Sequence, residues 1–145
     1  MKQGRRIAFD YGDVRIGVAM SDLSGMLASP FGVIATQSNV ISEIAALITE
    51  FDPIYFAVGI PKHLSGNASA KMESVEKFIN ALEENFSVRV IRIDERLSTV
   101  SAAKSLQASG KNAKESKALI DAAAAATILD MAMAQEKLAE GNHRE

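Results

Sequence analysis

A short stretch near the start of the chain, residues 6–22, constrains the fold more than any other. An apolar run over 7–9 ends abruptly on Asp10, Gly12 marks a tight turn, and a second apolar run follows over 16–20. Two short runs with such a connection predict a β-hairpin. Asp10 would then lie where the first strand stops, and a carboxylate in that place either caps the turn or holds a divalent metal ion.

The remaining sequence alternates between the spacing typical of helices and the apolar runs typical of strands. Pro30 stands early in the third predicted strand, which favours a place at the edge of a sheet, and Asp52-Pro53 ends the first predicted helix. In chain order we predict a strand over 27–36, a helix over 40–51, a strand over 54–59, a loop over 61–69, a helix over 71–84, a strand over 88–93, a short helix from 98 or 99 to 106, and a final helix over about 113–138.

This order of elements predicts an α/β fold with a mixed five-stranded sheet flanked by helices. Three strands form an antiparallel meander, and crossover helices add two parallel strands. With 145 residues the chain is long enough for a single domain, which we place over 1–138, followed by a frayed polar tail over 139–145. Ligands of sheets fed by crossover helices gather at the carboxyl ends of the strands.

Composition excludes several kinds of site. The chain has no cysteine, which excludes a disulfide, a thiol nucleophile and a thiolate metal site. The first residues lack the apolar segment of a secretory signal, and no window is expected to reach the length of a membrane span. We therefore expect a cytoplasmic protein with no membrane partner.

Charge is distributed unevenly, although its sum is only −2. Acidic residues dominate 38–86, basic residues dominate 89–117, and Arg5, Arg6 and Arg15 add positive charge near the predicted hairpin. A polyanion such as a nucleic acid could bind the basic segments while the acidic helices face water. The alternative for each lysine is a solvated position on a helix face.

A second pair of acids, Asp94 and Glu95, follows the strand predicted over 88–93. If the strand stays regular, Glu95 shares a face with Ile93, and Asp94 points the other way. Only one of the two acids can therefore reach a site shared with Asp10, and the alternation does not say which.

Asp121 is a third candidate, in a helix that is apolar almost all round. A carboxylate there is costly unless it is paired or bound to a metal ion, and the alternative is a solvent-facing position in line with Lys114 and Lys117. Three carboxylates that converge from two strand ends and a helix are able to hold two Mg²⁺ or Mn²⁺ ions. Such a pair clamps the attacking water and the leaving oxygen in phosphodiester cleavage.

Four motifs lie in the order and at the spacing of a known family, and together they span most of the chain. They are Asp10-x-Gly-x-x-Arg-x-Gly-Val-Ala19, Val58-Gly-Ile-Pro61, Asp94-Glu-Arg-Leu-Ser-Thr99 and Asp121-x-x-Ala-Ala. Taken together they resemble the YqgF family of bacterial proteins, known as pre-16S rRNA nucleases and earlier as Holliday junction resolvases.

The resemblance implies a ribonuclease H-like fold with a nuclease site that uses Mg²⁺ or Mn²⁺. The catalytic and metal-binding acids of the family correspond to Asp10, Glu95 and Asp121, and Glu95 is preferred over Asp94 on this ground only. Three further positions match family motifs that contact substrate phosphate: Arg15, Arg96 and Thr99. The alternative for the two arginines is that they pair with nearby carboxylates and orient them.

The function that the resemblance implies is metal-dependent hydrolysis of RNA in 5′-end maturation of pre-16S rRNA. The expected partners are nucleic acid, with RNA favoured and structured DNA as a second option, and a ribosomal precursor particle. The sequence leaves open whether the chain is a monomer or a homodimer, because the Ala-rich last helix can pack inside one subunit or against another.

Three other functions stay open at this point. RuvC-type resolvases carry a further acid one helical turn after the last one, and Ala124 stands there in this chain, which disfavours DNA junction cleavage. A non-catalytic RNA-binding factor associated with the ribosome would use the same basic segments. A phosphate-binding hairpin of an actin-like ATPase would need a second domain, for which 145 residues are too few.

Overall fold

The computed structural model describes residues 2–61, 67–94 and 113–143. Its strands are β1 (Arg6–Asp10), β2 (Arg15–Ser21), β3 (Ala28–Ala35), β4 (Tyr55–Ile60) and β5 (Arg89–Asp94). Its helices are α1 (Val40–Phe51), α2 (Asn67–Asn85) and α3 (Ala113–His143). The short helix predicted over 98–106 lies outside the described residues.

The five strands form one mixed sheet in the order β3-β2-β1-β4-β5. β1, β2 and β3 are an antiparallel meander, and β4 and β5 run parallel to β1 and to each other. The predicted sheet is therefore confirmed, as is the edge position of β3, the strand that contains Pro30. The carboxyl ends of β1, β4 and β5 meet at one end of the sheet, and β2 begins there.

The two faces of the sheet carry different side chains. Large residues such as Phe9 and Phe56 pack beneath α1 and α2, whereas small residues such as Ala8, Ala19 and Ala57 face α3. Small side chains let the backbone of a helix approach a sheet closely, because little volume separates the two. Thus α3 lies close to the strands that end at the acids.

Both α2 and α3 are longer than the sequence predicted. α2 begins at Asn67 rather than Lys71, and α3 ends at His143 rather than near Leu138. These extensions contain the strong helix formers Ala68, Ala70, Ala139 and Glu140. The last helix thus continues into the segment predicted as a polar tail, as far as residue 143.

The last helix also corrects the expectation about membrane spans. By length and composition alone, Lys117–Gly141 is apolar enough to cross a membrane. Its apolar residues have another use here, because Ile128, Leu129 and Met133 are buried against the sheet. Packing on the sheet thus accounts for part of the apolar run, whereas Leu119 and Leu138 are exposed.

Arg6 departs from its predicted role in a basic surface, because its side chain is completely buried. Its guanidinium donates to both carboxylate oxygens of Glu136 in α3, at 3.1 and 2.7 Å, and to the carbonyl oxygens of Lys2 and Gly4. Burial, followed by the charge of Glu136, raises the pKa of the Tyr55 hydroxyl, which donates to Glu136 Oε1 at 3.0 Å. This network fastens the far end of α3 to the start of β1.

Candidate active site

Asp10 is the last residue of β1 and lies on the face that α3 covers. Side chains alternate along a strand, and both Arg6 and Ala8 face α3, one through Glu136 and the other through the apolar cluster. Asp10 has the same parity as these two residues. Its backbone is paired with Gly17 of β2 in the antiparallel register.

Gly17 is the point where α3 approaches the sheet most tightly among the described glycines. A Cβ atom built on Gly17 would lie 1.9 Å from the backbone oxygen of Asp121 and 2.4 Å from its carbonyl carbon. Only a residue without a side chain fits there. Opposite residues of an antiparallel pair have Cα atoms about 4.5–5.5 Å apart, so Asp10 and Asp121 flank the same glycine.

Arg15 binds the carboxylate of Asp121. Its Nε atom lies 2.8 Å from Asp121 Oδ2, and the two side chains are 28% and 25% exposed. Arg15 begins β2 and shares the α3 face with Gly17 and Ala19. Asp121 therefore does not lie on a solvated stripe with Lys117, and its carboxylate faces the mouth of the hairpin. Of the two alternatives for Arg15, the structure has the ion pair with a carboxylate.

The side chains near the end of β5 also alternate between the two faces of the sheet. Ile91 and Ile93 pack with the residues beneath α3, whereas the guanidinium of Arg92 donates to both oxygens of Glu76 in α2, at 3.2 and 2.9 Å. Asp94 shares the parity of Arg92, so it belongs to the face of α1 and α2 rather than that of Asp10. Glu95, Arg96 and Thr99 lie outside the described residues.

The chemistry of this end of the sheet is that of hard oxygen ligands. Asp10 and Asp121 supply carboxylates, which Mg²⁺ and Mn²⁺ prefer, and the chain has no cysteine to attract softer metals. Within 2–61, 67–94 and 113–143, no group of three Asp, Glu, His or Cys side chains is placed to hold a metal ion. Asp10 and Asp121 lie on the two sides of Gly17, and their carboxylates are ligands of the kind that such a metal ion prefers.

Sequence reasoning missed one residue that shapes the site, Thr36. Its hydroxyl donates to the carbonyl oxygen of Gly12 at 2.7 Å, and its N–H donates to that of Val14 at 3.0 Å. These bonds tie the hairpin turn to the end of β3. A threonine one residue beyond a strand carries no periodic signal, so nothing in the spacing pointed to this role.

Comparisons with known proteins identify relatives over nearly the whole chain. The model of the family described as RuvX: Holliday junction resolvase matches residues 4–135. A protein of Leifsonia xyli subsp. xyli named "Putative pre-16S rRNA nuclease" is 41% identical over 139 residues, which is 94% of this chain and 90% of that one. A protein of the same name from Streptomyces coelicolor is 36% identical over 141 residues, 95% and 84% of the two chains.

Two solved structures share the fold. One, titled as T. thermophilus RuvC in complex with Holliday junction substrate, has a TM-score of 0.56 at 19% identity and covers 91% of this chain and 94% of its own. The other, a Fowlpox virus resolvase with substrate Holliday junction DNA, has a TM-score of 0.52 at 13% identity, with 90% and 97% covered. The ribonuclease H-like fold expected from the motifs is confirmed.

Proposed function

The chain belongs to the RuvX family, which is the YqgF family that its motifs resemble. On that premise we propose that it is a metal-dependent nuclease that processes the 5′ end of pre-16S rRNA. The observation that supports the proposal is the placement of Asp10 and Asp121 on either side of Gly17. Two acids from distant parts of the chain share one face at the carboxyl end of the sheet, where ligands of such sheets bind.

Asp10, Asp121 and Glu95 are the proposed metal ligands and catalytic acids. Glu95 has the parity of Ile91 and Ile93, whose side chains lie beneath α3, and this supports it over Asp94 if β5 continues regularly. Bound Mg²⁺ or Mn²⁺ would activate water and stabilise the leaving oxygen. The role of the chain is to hold the carboxylates rigidly, which the close contact of α3 with β2 provides.

Arg15 has two proposed tasks. In the structure it neutralises Asp121, which lowers the cost of keeping that carboxylate partly buried. When metal ions take over the charge of Asp121, the planar guanidinium is free to bind a substrate phosphate with two parallel hydrogen bonds. Arg96 and Thr99 are proposed as further phosphate contacts because they match family motif positions.

RNA is the proposed substrate, and a ribosomal precursor particle in the bacterial cytoplasm is the proposed setting. The names of the two relatives support RNA, whereas the family description and the two resolvases support DNA junctions. Ala124 favours RNA as the substrate, because it stands where the RuvC-type resolvases have their fourth acid. Membrane association forms no part of the proposal.

Cleavage by purified protein tests the proposal. The substrates are a precursor-rRNA 5′ leader, a generic single-stranded RNA and a DNA four-way junction, each with Mg²⁺, with Mn²⁺ and with a chelator. Asp10→Asn removes one ligand charge at almost constant volume. Asp52→Asn is the matched control, because Asp52 is exposed and its positive φ of 48° suits asparagine.

We expect metal-dependent cutting of RNA by the wild type and by Asp52→Asn, and none by Asp10→Asn. Cutting of the junction alone would identify a resolvase and contradict the RNA assignment. If Asp10→Asn cuts as fast as the wild type, or if no form cuts any substrate while RNA still binds, the nuclease proposal is wrong and a binding factor replaces it.

A further inference from the structure

A groove opens beside the candidate active site, on the opposite face of the sheet. It lies between the end of β1 and the helices α1 and α2, with a volume of about 280 Å³. Its wall is mostly apolar and is formed by Tyr11, Ile16, Val40, Ile41, Phe78 and Ala81. Three polar side chains complete the lining: Thr36, Ser74 and Lys77.

Aromatic rings form one wall of the groove. The ring centroid of Tyr11 lies 5.1 Å from that of Phe78, with a tilt of 33° between the planes. Phe78 in turn meets Phe9 edge-on at 5.6 Å, and both phenylalanines are buried. The half-buried ring of Tyr11 is therefore backed by a rigid cluster, and it lines the open space above.

Tyr11 also follows Asp10 directly in the chain. Neighbouring Cα atoms are about 3.8 Å apart, and alternation sends the two side chains to opposite faces of the sheet. A nucleic-acid strand that crosses the end of the sheet would thus meet Asp10 with one phosphate and the groove with an adjacent nucleotide. The bonds from Thr36 to Gly12 and Val14 fix the turn that follows Tyr11.

We propose that this groove binds the base of the nucleotide next to the scissile phosphate, stacked on the ring of Tyr11. The inference rests on the proposed nuclease function, whose substrate it places. The volume of about 280 Å³ leaves room for a single base. Stacking on an aromatic ring is also how single strands are bound without strict sequence preference.

The polar residues of the groove match this ligand. Lys77 is well exposed and makes a long contact of 3.6 Å to Glu73, so its ammonium is able to turn toward a phosphate or a base oxygen. The hydroxyl of Thr36 already donates to Gly12, which leaves its oxygen as an acceptor for an exocyclic amine. An apolar peptide would offer the ammonium of Lys77 no anionic or polar group to bind.

The chain offers a direct reporter for the test. It contains no tryptophan and only two tyrosines, Tyr11 and Tyr55, so a Tyr55→Phe variant leaves Tyr11 as the sole tyrosine and the dominant intrinsic fluorophore. Binding is measured in an Asp10→Asn background, which prevents cutting of the probe. The probes are a short single-stranded RNA of mixed sequence and the same RNA with abasic sites. Circular dichroism checks the fold of each variant.

Tyr11→Leu and Tyr11→Phe separate stacking from mere apolar contact. We expect the mixed RNA to quench Tyr11 fluorescence and the abasic RNA to quench it far less. Because these variants lack the Tyr11 reporter, their Kd values are measured by the fluorescence anisotropy of the same RNA carrying a dye. Tyr11→Leu is expected to raise the Kd for the mixed RNA about 5-fold to 100-fold, whereas Tyr11→Phe keeps it within about twofold.

Equal Kd values for Tyr11→Leu and Tyr11→Phe, or equal quenching by the two probes, would overturn the inference. Its failure is distinct from failure of the nuclease proposal. If proteins with Asp10 intact cut RNA with metal and Tyr11→Leu does not change the Kd, the proposal of a base-binding groove is wrong and the nuclease proposal is kept. If no substrate is cut but quenching still depends on the bases, the proposal of a base-binding groove is kept and the nuclease proposal is wrong.

Discussion

The Nε atom of Arg15 donates a hydrogen bond to Oδ2 of Asp121 at 2.8 Å, across 106 positions of sequence. A cation thus holds the carboxylate of one of the two acids that flank Gly17. The pair joins the start of β2 to α3, and it links the charge of the candidate site to the packing of the last helix.

Replacing Arg15 by glutamine should separate metal binding from cleavage. The free energy of unfolding should fall by less than about 1 kcal/mol, because partly exposed ion pairs contribute little. Affinity for Mn²⁺, measured by calorimetric titration, should rise, since a competing positive charge is removed. The cleavage rate should drop about 10-fold to 1,000-fold, as expected when a donor to a developing charge is lost.

Arg15→Lys provides the control for charge. It keeps the cation but not the planar fork, so cleavage should fall to an intermediate rate. Weaker Mn²⁺ binding by Arg15→Gln would contradict the view that Arg15 and the metal compete for Asp121.

Gly17→Ala should displace α3 from the sheet. The added methyl group would meet backbone atoms of Asp121 at 1.9 and 2.4 Å, and backbone has little freedom to yield. Overpacking typically costs about 1–3 kcal/mol, and we expect the upper end of this range or more in urea unfolding. Cleavage should fall as well, because Asp121 moves with the helix.

Gly32→Ala in β3 is the matched control for that substitution. A Cβ atom at Gly32 would have no heavy atom within 4 Å, so its stability should stay within about 0.5 kcal/mol of the wild type. Equal destabilisation by the two variants would show that strand glycines matter through the backbone and not through the contact with α3.

Breaking the buried pair of Arg6 and Glu136 should be costly. Glu136→Met leaves the guanidinium buried without its anion and should lower the free energy of unfolding by about 3–5 kcal/mol. The double variant Arg6→Met/Glu136→Met should lose less than Glu136→Met alone, because no buried charge is left unpaired. Urea unfolding of all three forms checks the sign of this coupling.

The exposed pair of Arg92 and Glu76 offers a comparison within the same protein. Its side chains are 40% and 37% exposed, so Arg92→Met should cost less than about 1 kcal/mol despite its two hydrogen bonds. A loss as large as that of Glu136→Met would mean that burial does not decide the energy of these pairs.

The turn between β2 and β3 should weaken in acid. Hydrogen bonds from Ser24 Oγ, then from the N–H groups of Leu27 and Met26, lower the pKa of Asp22 to about 2. Unfolded aspartate titrates near pH 3.9, so the stabilisation is complete above about pH 4 and is lost as the pH falls toward about 2.

Asp22→Asn keeps the acceptor oxygen but cannot ionise, so it tests this pH dependence. The difference in unfolding free energy between the wild type and Asp22→Asn should shrink as the pH falls from about 4 to about 2. Parallel curves over this window would refute a contribution from the Asp22 carboxylate.

Much of the fold was predictable because the apolar spacing of each element is local. The run over 54–59 and the stripe of α1 needed only periodicity, and Pro30 correctly marked the edge strand. Element ends were less accurate, since helix propensity at 67–70 and 139–143 is decided by residues that also occur in loops.

The contacts of the candidate site were beyond such reasoning. Sequence alone left Arg15 with either a phosphate or a carboxylate, because no local rule relates it to a helix 106 positions later. Arg6 counted as surface charge for the same reason, as its partner Glu136 lies on the final helix. Alternation did assign the faces of β5 once the structure showed which face α3 covers.

The ion pair between Glu136 and Arg6 can form only late in synthesis of the chain. All five strands lie within the first 94 residues, yet the helix that covers one face of the sheet is translated last. At about 5–20 residues per second, the ribosome needs roughly 2–8 s to proceed from the end of β5 to Glu136. Until then a nascent chain lacks the helix that covers one face of the sheet and carries both Asp121 and Glu136, so the candidate site is completed only after all five strands have been made.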